Sequence, residues 1–271
     1  MRSGIRILQV SDSHLSRQAP HADENWLAVV EHARATRPDL VVHTGDVTLD
    51  GASSATDLEH ARALVDRLPV PWLTVPGNHD IGDVGDTQDP VTAARTARYG
   101  ETLGETSWTR SVGGWQLVGV DLQTLLADLP STEPLWEWLE STLDGSSPTA
   151  LFLHRPLVPL ATDHVDEPSR YVTEPGRGRL MQLLAAGDVR LVASGHVHQW
   201  QTADVGPVRH VWAPSTWAAL PDRIQPVLGR KVVGVVEHTL YADGQSTSVL
   251  VQPEGVRQLV IADDFESPYS H

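Results

Sequence analysis

The sequence predicts an α/β fold, and three observations support this prediction. The first third of the chain alternates short apolar runs with segments of helical apolar spacing, in the order strand, helix, strand, helix, strand. Each of these apolar runs ends in a cluster of polar residues. Further apolar runs at 207–213, 231–240 and 246–251 predict strands of a second sheet.

Composition narrows the class of protein. The chain has 271 residues, of which 40% are hydrophobic, so it can bury a substantial core. No apolar run approaches the roughly 18 residues of a membrane-spanning helix, so no membrane partner is expected. The formal net charge of −15 argues against a nucleic-acid partner, because binding a phosphate backbone requires clustered Lys and Arg.

The chain contains no cysteine, which excludes disulfides and thiolate metal sites. Any metal ion would therefore use His, Asp, Glu or Asn side chains. This composition suits the cytoplasm, and we expect a cytoplasmic protein. Because the motifs described below show no linker or repeat between them, we expect one domain over residues 1–262, followed by an acidic, polar tail over residues 263–271.

The first predicted strand, Ile5 to Val10, ends in Ser11-Asp12-Ser13-His14. Residues two apart in a strand face the same way, so Asp12 and His14 can point at one site. Residues 23–37 then show helical spacing of apolar side chains and predict a helix.

The second and third predicted strands repeat this organisation. The run from Leu40 to Thr44 is followed by Asp46, with a helix predicted over 55–68, and the run from Pro71 to Val75 is followed by Asn78-His79-Asp80. Because the carboxyl ends of neighbouring strands lie along one edge of an α/β sheet, we expect the three polar clusters to converge there. His43 lies inside its strand and is interpreted as a packed core residue.

The second half of the chain adds two more polar strand ends. Gly113-Gly114 separates two strand-like runs and predicts a β-hairpin. The strand at 150–153 ends in His154, and the strand from Val189 ends in Gly195-His196-Val197-His198, where His196 and His198 again lie two residues apart. Helices are predicted over about 90–99, 133–143 and 177–186.

These strand ends carry a set of donors suited to metal ions: Asp12, His14, Asp46, Asn78, His79, His154, His196 and His198. Such a set exceeds the needs of one ion but suits two ions a few ångströms apart that share a carboxylate. Two such ions can activate a water molecule and hold the oxygens of a displacement at phosphorus. Neutral imidazoles combined with carboxylates favour Fe, Mn or Zn over Ca or Mg.

The order Asp-x-His, Gly-Asp, Gly-Asn-His-Asp, a single strand-end His and Gly-His-x-His resembles the calcineurin-like metallophosphoesterases. The chain is most similar to the bacterial class III cyclic-nucleotide phosphodiesterase and glycerophosphodiesterase branch. Trp138-Leu-Glu and Pro214-Ser215-Thr216 are also similar to that branch. The resemblance implies a four-layer αββα sandwich, in which two mixed sheets are flanked by helices.

The resemblance also implies a role for each donor. The first metal ion would be held by Asp12, His14 and His198, and the second by Asn78, His154 and His196. Asp46 would bridge the two ions. His79 would contact the phosphoryl group and stabilise or protonate the leaving oxygen, and Asp80 would accept a hydrogen bond that orients His79. The implied reaction is attack on phosphorus by a metal-bound hydroxide.

Arg155 departs from the His-His-Pro-Pro sequence that this branch often shows after the strand-end histidine. It could contact a substrate phosphate through its bidentate guanidinium, or it could be an ordinary exposed loop residue. Three tryptophans lie near the motifs and could stack on a nucleobase, although large aromatic side chains more often pack in the core: Trp200, Trp212 and Trp217. His21, His164 and His210 are interpreted as solvated or packed residues.

The predicted function is hydrolysis of small phosphodiesters, of the 3′,5′-cyclic-nucleotide or glycerophosphodiester type, with a small phosphoester as the partner. The alternative is a phosphomonoesterase that uses the same site, because selectivity would reside in residues 81–100 and 155–178. A nuclease is disfavoured by the lack of a basic stripe. A non-catalytic protein-binding scaffold would be expected to have lost metal ligands, and the chain keeps all of them. The resemblance leaves a homo-oligomer open.

Overall fold

The structure, a computed structural model, describes residues 4–160 and 170–266. Within these ranges the strands are β1 Gly4–Val10, β2 Leu40–His43, β3 Trp72–Thr74, β4 Trp108–Val112, β5 Trp115–Gly119, β6 Thr149–Phe152, β7 Val189–Ser194, β8 Gln199–Val205, β9 Val208–Trp212, β10 Arg230–Lys231, β11 Val235–Tyr241 and β12 Ser246–Val251. The helices are α1 Pro20–Thr36, α2 Ala55–Val65, α3 Asn78–Ile81, α4 Ala93–Leu103, α5 Leu122–Leu126, α6 Thr132–Thr142 and α7 Gly176–Ala186. His164, His271 and the end of the predicted tail, residues 267–271, lie outside the described residues.

The first sheet has five strands in the order β12-β11-β1-β2-β3. Strands β1, β2 and β3 are parallel, and α1 and α2 supply the crossovers between them. The carboxyl ends of these three strands therefore lie on the same edge of the sheet. β11 and β12 extend the sheet on its other side with antiparallel pairing.

The second sheet has seven strands in the order β10-β8-β9-β7-β6-β5-β4. Its centre, from β5 through β6 and β7 to β9, is parallel, and the β4–β5 hairpin turns at Gly113-Gly114 as predicted. The sheet thus also brings several carboxyl strand ends to one edge.

Three apolar layers hold the four structural layers together. Side chains from both sheets, including Ile7, Phe152 and Val236, fill the space between the sheets. α1, α2 and α4 cover the outer face of the first sheet, and α5, α6 and α7 cover that of the second. Each fully buried aliphatic side chain contributes about 1.5–3 kcal/mol to the free energy of unfolding. This arrangement confirms the predicted α/β class and the αββα sandwich.

Two expectations about the C-terminal strands were wrong. The three apolar runs do not form one second sheet, because β9 joins the seven-stranded sheet whereas β11 and β12 return to the first sheet beside β1. β8 was not predicted, since its sequence Gln-Trp-Gln-Thr-Ala-Asp-Val is mostly polar and its pairing with β9 supplies the stabilisation.

Among the described residues, none of the helices is long and apolar enough to cross a membrane.

Candidate metal centre

The predicted donors come together where the carboxyl edges of the two sheets meet. From the first sheet, Asp12 and His14 follow β1, Asp46 follows β2, and Asn78 and His79 lie in α3 directly after β3. From the second sheet, His154 follows β6, and His196 and His198 follow β7. The site is therefore built by both sheets, and neither sheet alone contains all of its residues.

One group of donors consists of Asp12, His14 and His198, whose ligand atoms lie within 4.8 Å of one another. The Nε2 atoms of His14 and His198 are 3.2 Å apart, and His198 Nε2 is 3.5 Å from Asp12 Oδ1. All three residues are buried. A compact pocket of two nitrogens and one oxygen results.

A second group consists of Asp46, His154 and His196, again within 4.8 Å. His154 Nε2 lies 3.3 Å from Asp46 Oδ2 and 3.1 Å from His196 Nδ1. Asn78 adds its Oδ1 atom at 3.2 Å from the same His154 nitrogen. His196 and His198, although only two residues apart, therefore contribute to different groups.

Asp46 joins the two groups. Its Oδ2 atom lies 3.3 Å from Nε2 of His154 and 3.9 Å from Nε2 of His14. Its other oxygen, Oδ1, accepts a hydrogen bond from the His79 main-chain N–H at 2.9 Å. One carboxylate oxygen thus faces both groups while the other is held in place by the backbone.

The possible ligand atoms of His79, His14 and Asp46 lie within 4.8 Å of one another. His79 itself is only partly buried. Its Nδ1 is 2.8 Å from the Leu49 carbonyl oxygen. This carbonyl, rather than the expected Asp80 carboxylate, holds Nδ1 in place. Asp80 instead accepts hydrogen bonds from the main chain of Val47, Thr48 and Gly77 and from the Thr48 hydroxyl.

The backbone at the site is unusual. Among the described residues, non-glycine positive φ angles occur at seven positions, and five of these carry donors: Asp12, His14, Asp46, His196 and His198. The side chains therefore do not converge by the alternation of an extended strand, which was the reasoning from sequence, but through left-handed turns after the strands. Such conformations cost on the order of 1 kcal/mol or more each and concentrate at functional sites.

Two glycines allow these turns to approach one another. A Cβ atom on Gly77 would lie 2.1 Å from Asp46 Oδ1, and one on Gly195 would lie 2.5 Å from Asp12 Oδ2. Any larger residue would displace one of the two carboxylates. The sequence shows both glycines beside the motifs, but it does not reveal this contact.

Main-chain carbonyls orient the histidine rings. Nδ1 of His154 is 2.8 Å from the Thr44 carbonyl, and Nδ1 of His198 is 2.8 Å from the Ala218 carbonyl. Because a carbonyl can only accept, each Nδ1 carries the proton, and the Nε2 lone pair faces the site. Rings held in this way are typical of metal ligands.

The spacing of the donors also fits metal binding. Ligands about 2.0–2.2 Å from a metal ion, at octahedral to tetrahedral angles, lie roughly 2.8–3.6 Å from one another. Five of the distances given above lie between 3.1 and 3.5 Å. They join His14 to His198, His198 to Asp12, and His154 to each of its three neighbours. The donors present thus fit cations held by nitrogen and oxygen.

Electrostatics around Asp46 and His154 favour positive charge. Burial by itself lowers the pKa of His154, but Asp46 and Asp12 outweigh it and raise that pKa to about 9. Burial by itself raises the pKa of Asp46, yet His154 and His79 hold it well below its ordinary value. The Asp46 carboxylate therefore attracts a cation, whether a proton or a metal ion, beside His154. Burial acts in the opposite direction on two other donors, because it raises the pKa of Asp12 and lowers that of His14.

Residues outside the predicted ligand set support the site. The Ser215 hydroxyl donates to the Asp12 carbonyl at 2.7 Å, and the Thr216 hydroxyl donates to the Ser11 carbonyl at 3.2 Å. Trp217 is buried with its ring centroid 5.1 Å from that of His14. Trp212 is buried as well, so both rings serve packing.

The remaining candidates lie in packed or paired positions. Arg155 is only 5% exposed, and its guanidinium donates to both carboxylate oxygens of Asp83 at 2.8 Å, so it is not an exposed loop residue. His43 and His210 are buried in β2 and β9, as expected for packed histidines. His21 is partly exposed and contacts Phe265.

Comparisons with known proteins show which family the chain resembles. The family model described as calcineurin-like phosphoesterase matches residues 5–200. A protein named 3′,5′-cyclic-nucleotide phosphodiesterase from Nostoc sp. is 26% identical over 260 residues, covering 90% of this chain and 91% of the relative. A protein named probable glycerophosphodiester phosphodiesterase from Arcobacter nitrofigilis is 28% identical over 218 residues, 72% of each chain.

A solved structure shares the fold. The dimetal phosphatase from Danio rerio aligns with a TM-score of 0.64 at 15% identity, covering 88% of this chain and 94% of that one. At this identity the likeness concerns the αββα architecture alone, whereas the match of the family model concerns the sequence that carries the donors.

Proposed function

The chain belongs to the calcineurin-like phosphoesterases and is a metal-dependent phosphoester hydrolase, and on that premise we propose that it hydrolyses small phosphodiesters with two metal ions. The substrates are of the 3′,5′-cyclic-nucleotide or glycerophosphodiester type, in line with the names of its relatives. The observation that carries the proposal is Asp46 Oδ2, which faces His154 on one side and His14 on the other.

The two groups of donors suggest how the ions are held. Asp12, His14 and His198 would hold the first ion, and Asn78, His154 and His196 would hold the second. Asp46 would serve both ions. The donors are imidazole nitrogens, carboxylates and one amide, a set that suits Fe, Mn or Zn. When bound, such a pair lowers the pKa of water and neutralises charge on the phosphoryl oxygens.

His79 is proposed as the residue that acts on the substrate. Its Nδ1 is committed to the Leu49 carbonyl, so Nε2 is the atom that would hold the proton delivered to the leaving oxygen. The side chain is partly exposed, unlike those of Asp12 and His14, and is therefore on the accessible side of the site. An N–H group at this Nε2 would also donate a hydrogen bond to the phosphoryl oxygens.

Asp80 stabilises the loops that carry Asp46 and His79. Its carboxylate is buried and takes main-chain hydrogen bonds from the loop after β2 and from Gly77 just before α3. It thereby fixes the loop that carries Asp46 against the helix that carries Asn78 and His79. We propose that Asp80 positions the site and does not touch the substrate.

A substrate comparison tests the proposal. Protein loaded with Mn²⁺ is assayed on bis(p-nitrophenyl) phosphate and on p-nitrophenyl phosphate, then on cyclic nucleotides and glycerophosphodiesters, with elemental analysis of the protein. We expect turnover that a chelator abolishes and that is faster on the diester. Faster turnover of the monoester would establish the phosphomonoesterase alternative, and no turnover of any phosphoester would overturn the proposal.

Three further features stay predictions. A cytoplasmic location is tested by cell fractionation, and a homo-oligomer by light scattering coupled to size-exclusion chromatography. A single domain over residues 1–262 is tested by limited proteolysis, which should leave one resistant fragment of about that length.

A further inference from the structure

Strand β12 forms an edge of the first sheet. β11 pairs with it on one side, and no strand of the described residues lies on the other. Its sequence, Ser-Thr-Ser-Val-Leu-Val, contains no charged residue and no proline, and its pairing with β11 runs without a bulge. Natural edge strands are usually protected from pairing with another chain by a lysine, a proline or a bulge. This six-residue edge has none of these protections.

The other three sheet edges are protected. β3 is only three residues long, and its Thr74 carbonyl accepts a hydrogen bond from the Trp108 indole at 2.7 Å. β10 consists of two charged residues, Arg230 and Lys231. β4 carries Arg110, which is exposed and charged. Among the four edges that the described residues form, β12 is therefore the one suited to pairing with a further strand.

The main chain of β12 offers hydrogen bonds on its outer side. At the turn before this strand, the Tyr241 N–H donates to the Gln245 carbonyl at 2.9 Å, which fixes the residues that bond to β11. Because bonded pairs alternate along an antiparallel ladder, every second residue of β12 points its N–H and C=O groups outward. These residues are Ser246, Ser248 and Leu250. A further strand could accept from and donate to all of them.

One apolar side chain is exposed beside this edge. Val249 is 56% exposed, whereas most large apolar side chains of the described residues are buried or partly buried. It lies directly opposite Glu237 of β11, on the face of the sheet that α1 partly covers. A strand added to β12 would remove part of this valine from water, which is favourable.

The charges around β12 favour a second copy of this chain as the added strand. With a net charge of −15, two copies repel each other over most of their surfaces, and an uncharged strand reduces that cost. The nearest carboxylate on this face, Glu237, is already paired with His32 at 2.9 Å. If Val249 of one copy lies opposite Val249 of the other, the two Glu237 residues are three strand spacings apart, roughly 14 Å. This distance exceeds the Debye length of about 8 Å at physiological ionic strength.

The number of open edges sets the size of such an assembly. Each copy has one unprotected edge, so pairing closes at two copies and does not continue into a filament. An uncharged strand also gives a charged partner nothing to recognise, whereas a second β12 matches it in length and in apolar character.

We propose that β12 pairs antiparallel with β12 of a second copy, about a two-fold axis at Val249, to form a dimer. The five strands of each copy then form one continuous sheet. In this register the outward groups of Ser248 bond to those of Leu250 in the second copy, and the two Val249 side chains face each other. The proposal goes beyond the proposed function, because neither the metal centre nor a substrate enters it.

A charge placed on the axis tests the proposal. Light scattering coupled to size-exclusion chromatography should give wild-type protein twice the 29.5 kDa mass of one chain. Val249→Lys brings two ammonium groups face to face, so we expect the dimer dissociation constant, measured by sedimentation velocity, to rise by about tenfold or more. Val227→Lys makes the same change in the loop before β10, at a side chain that is 59% exposed, and should leave that constant unchanged.

Cysteine cross-linking tests the register, because the chain contains no cysteine of its own. Residues directly opposite in an antiparallel pair have Cα atoms about 4.5–5.5 Å apart, which lies within the range of a disulfide. Val249→Cys, treated with diamide, should therefore give a covalent dimer on a non-reducing denaturing gel. Val227→Cys is the matched control and should stay a single chain on the same gel.

The results separate this inference from the proposed function. The inference is overturned if wild-type protein is monomeric at about 100 μM, if Val249→Lys dimerises as tightly as wild type, or if Val227→Cys cross-links as readily as Val249→Cys. Circular dichroism of each variant shows that the fold is kept. None of these measurements involves a phosphoester, so their failure leaves the proposed hydrolysis intact, and a lack of turnover leaves the dimer intact.

Discussion

Two sets of buried histidines in this protein differ in what surrounds them. At the candidate centre His154 is fully buried, and the neighbouring carboxylates raise its pKa to about 9. Between the sheets His238 is equally buried, and desolvation lowers its pKa to about 3. Burial is common to both, so the neighbouring charge decides which of these two histidines takes up a proton. His14 differs from His154 within the same centre, because burial and the neighbouring His79 hold its pKa well below the ordinary value.

The hydrogen bonds of His238 show why it stays neutral. Its Nε2 donates to Gln9 Oε1 at 2.9 Å, since the Gln9 amide nitrogen itself donates to Thr44 and Ser194. Its Nδ1 accepts from the Ser248 hydroxyl at 2.8 Å. Both ring nitrogens are satisfied in the neutral form. A histidine of this kind packs the core, whereas Nε2 of His154 at the centre faces the Asp46 carboxylate at 3.3 Å.

The largest loss of activity is expected from removing the negative charge of Asp46, which the histidines at the centre face and His238 does not. Asp46→Asn keeps the shape of the side chain but removes the negative charge shared by both donor groups. We expect kcat/KM on bis(p-nitrophenyl) phosphate to fall by about 10³-fold or more and the bound metal content to drop. Circular dichroism should stay unchanged.

The control for this variant is Asp204→Asn, which removes a carboxylate from an exposed ion pair with Arg209. It should leave activity and metal content at the wild-type level. Wild-type activity in Asp46→Asn would show that the bridging role is wrong.

The variant His79→Ala tests whether His79 acts on the substrate or binds a metal ion. As a substrate-facing residue it should lower kcat by about 10²-fold or more while metal content stays at the wild-type level. Elemental analysis and steady-state kinetics on the same preparation measure both quantities. Loss of metal from His79→Ala would instead make it a ligand, which its distance from His14 and Asp46 allows.

A pair of glycine variants tests the close approach at the centre. Gly77→Ala places a methyl group on Asp46, so we expect metal affinity to fall by about 10–100-fold. Gly100→Ala, in α4, meets nothing within 4 Å and should raise the free energy of unfolding by about 0.5–1 kcal/mol. Calorimetric titration of Mn²⁺ and chemical denaturation measure these effects. Equal metal affinity in the two variants would contradict the proposed contact.

The last comparison concerns the histidine between the sheets and the stability of the fold in acid. Because the folded pKa of His238 lies near 3, below its unfolded value of about 6.5, the unfolded chain takes up this proton first. Its contribution to stability is therefore full above pH 6.5 and falls by about 1.4 kcal/mol per pH unit as the pH decreases towards 3.

His238→Gln should flatten the dependence of unfolding free energy on pH between about 4 and 6.5, as measured by urea denaturation. His210, whose pKa burial lowers to about 4, offers a comparison: His210→Gln should act in the same direction over a narrower range. An unchanged slope in His238→Gln would show that this histidine is protonated in the fold.

Much of the fold followed from local patterns. The apolar runs that became β1, β2, β6 and β7 and the Gly113-Gly114 hairpin were visible because strand burial and turn chemistry act over a few residues. The sheet assignment of β11 and β12 was not visible, since pairing with β1 depends on residues more than 200 positions apart. β8 was missed for a different reason: its partner β9 follows it directly in the sequence, but its mostly polar residues do not show the apolar pattern of a strand.

By itself, the sequence predicted which donors the candidate site contains and that they stand at strand ends, since residue type and spacing are local properties. Its resemblance to the family also implied that His196 and His198 serve different ions. The tertiary structure alone decided that left-handed turns aim these two side chains. It also decided that the carbonyls of Thr44, Leu49 and Ala218 orient the rings. These features arise from contacts between distant segments packed at the junction of two sheets, and no local pattern encodes such contacts.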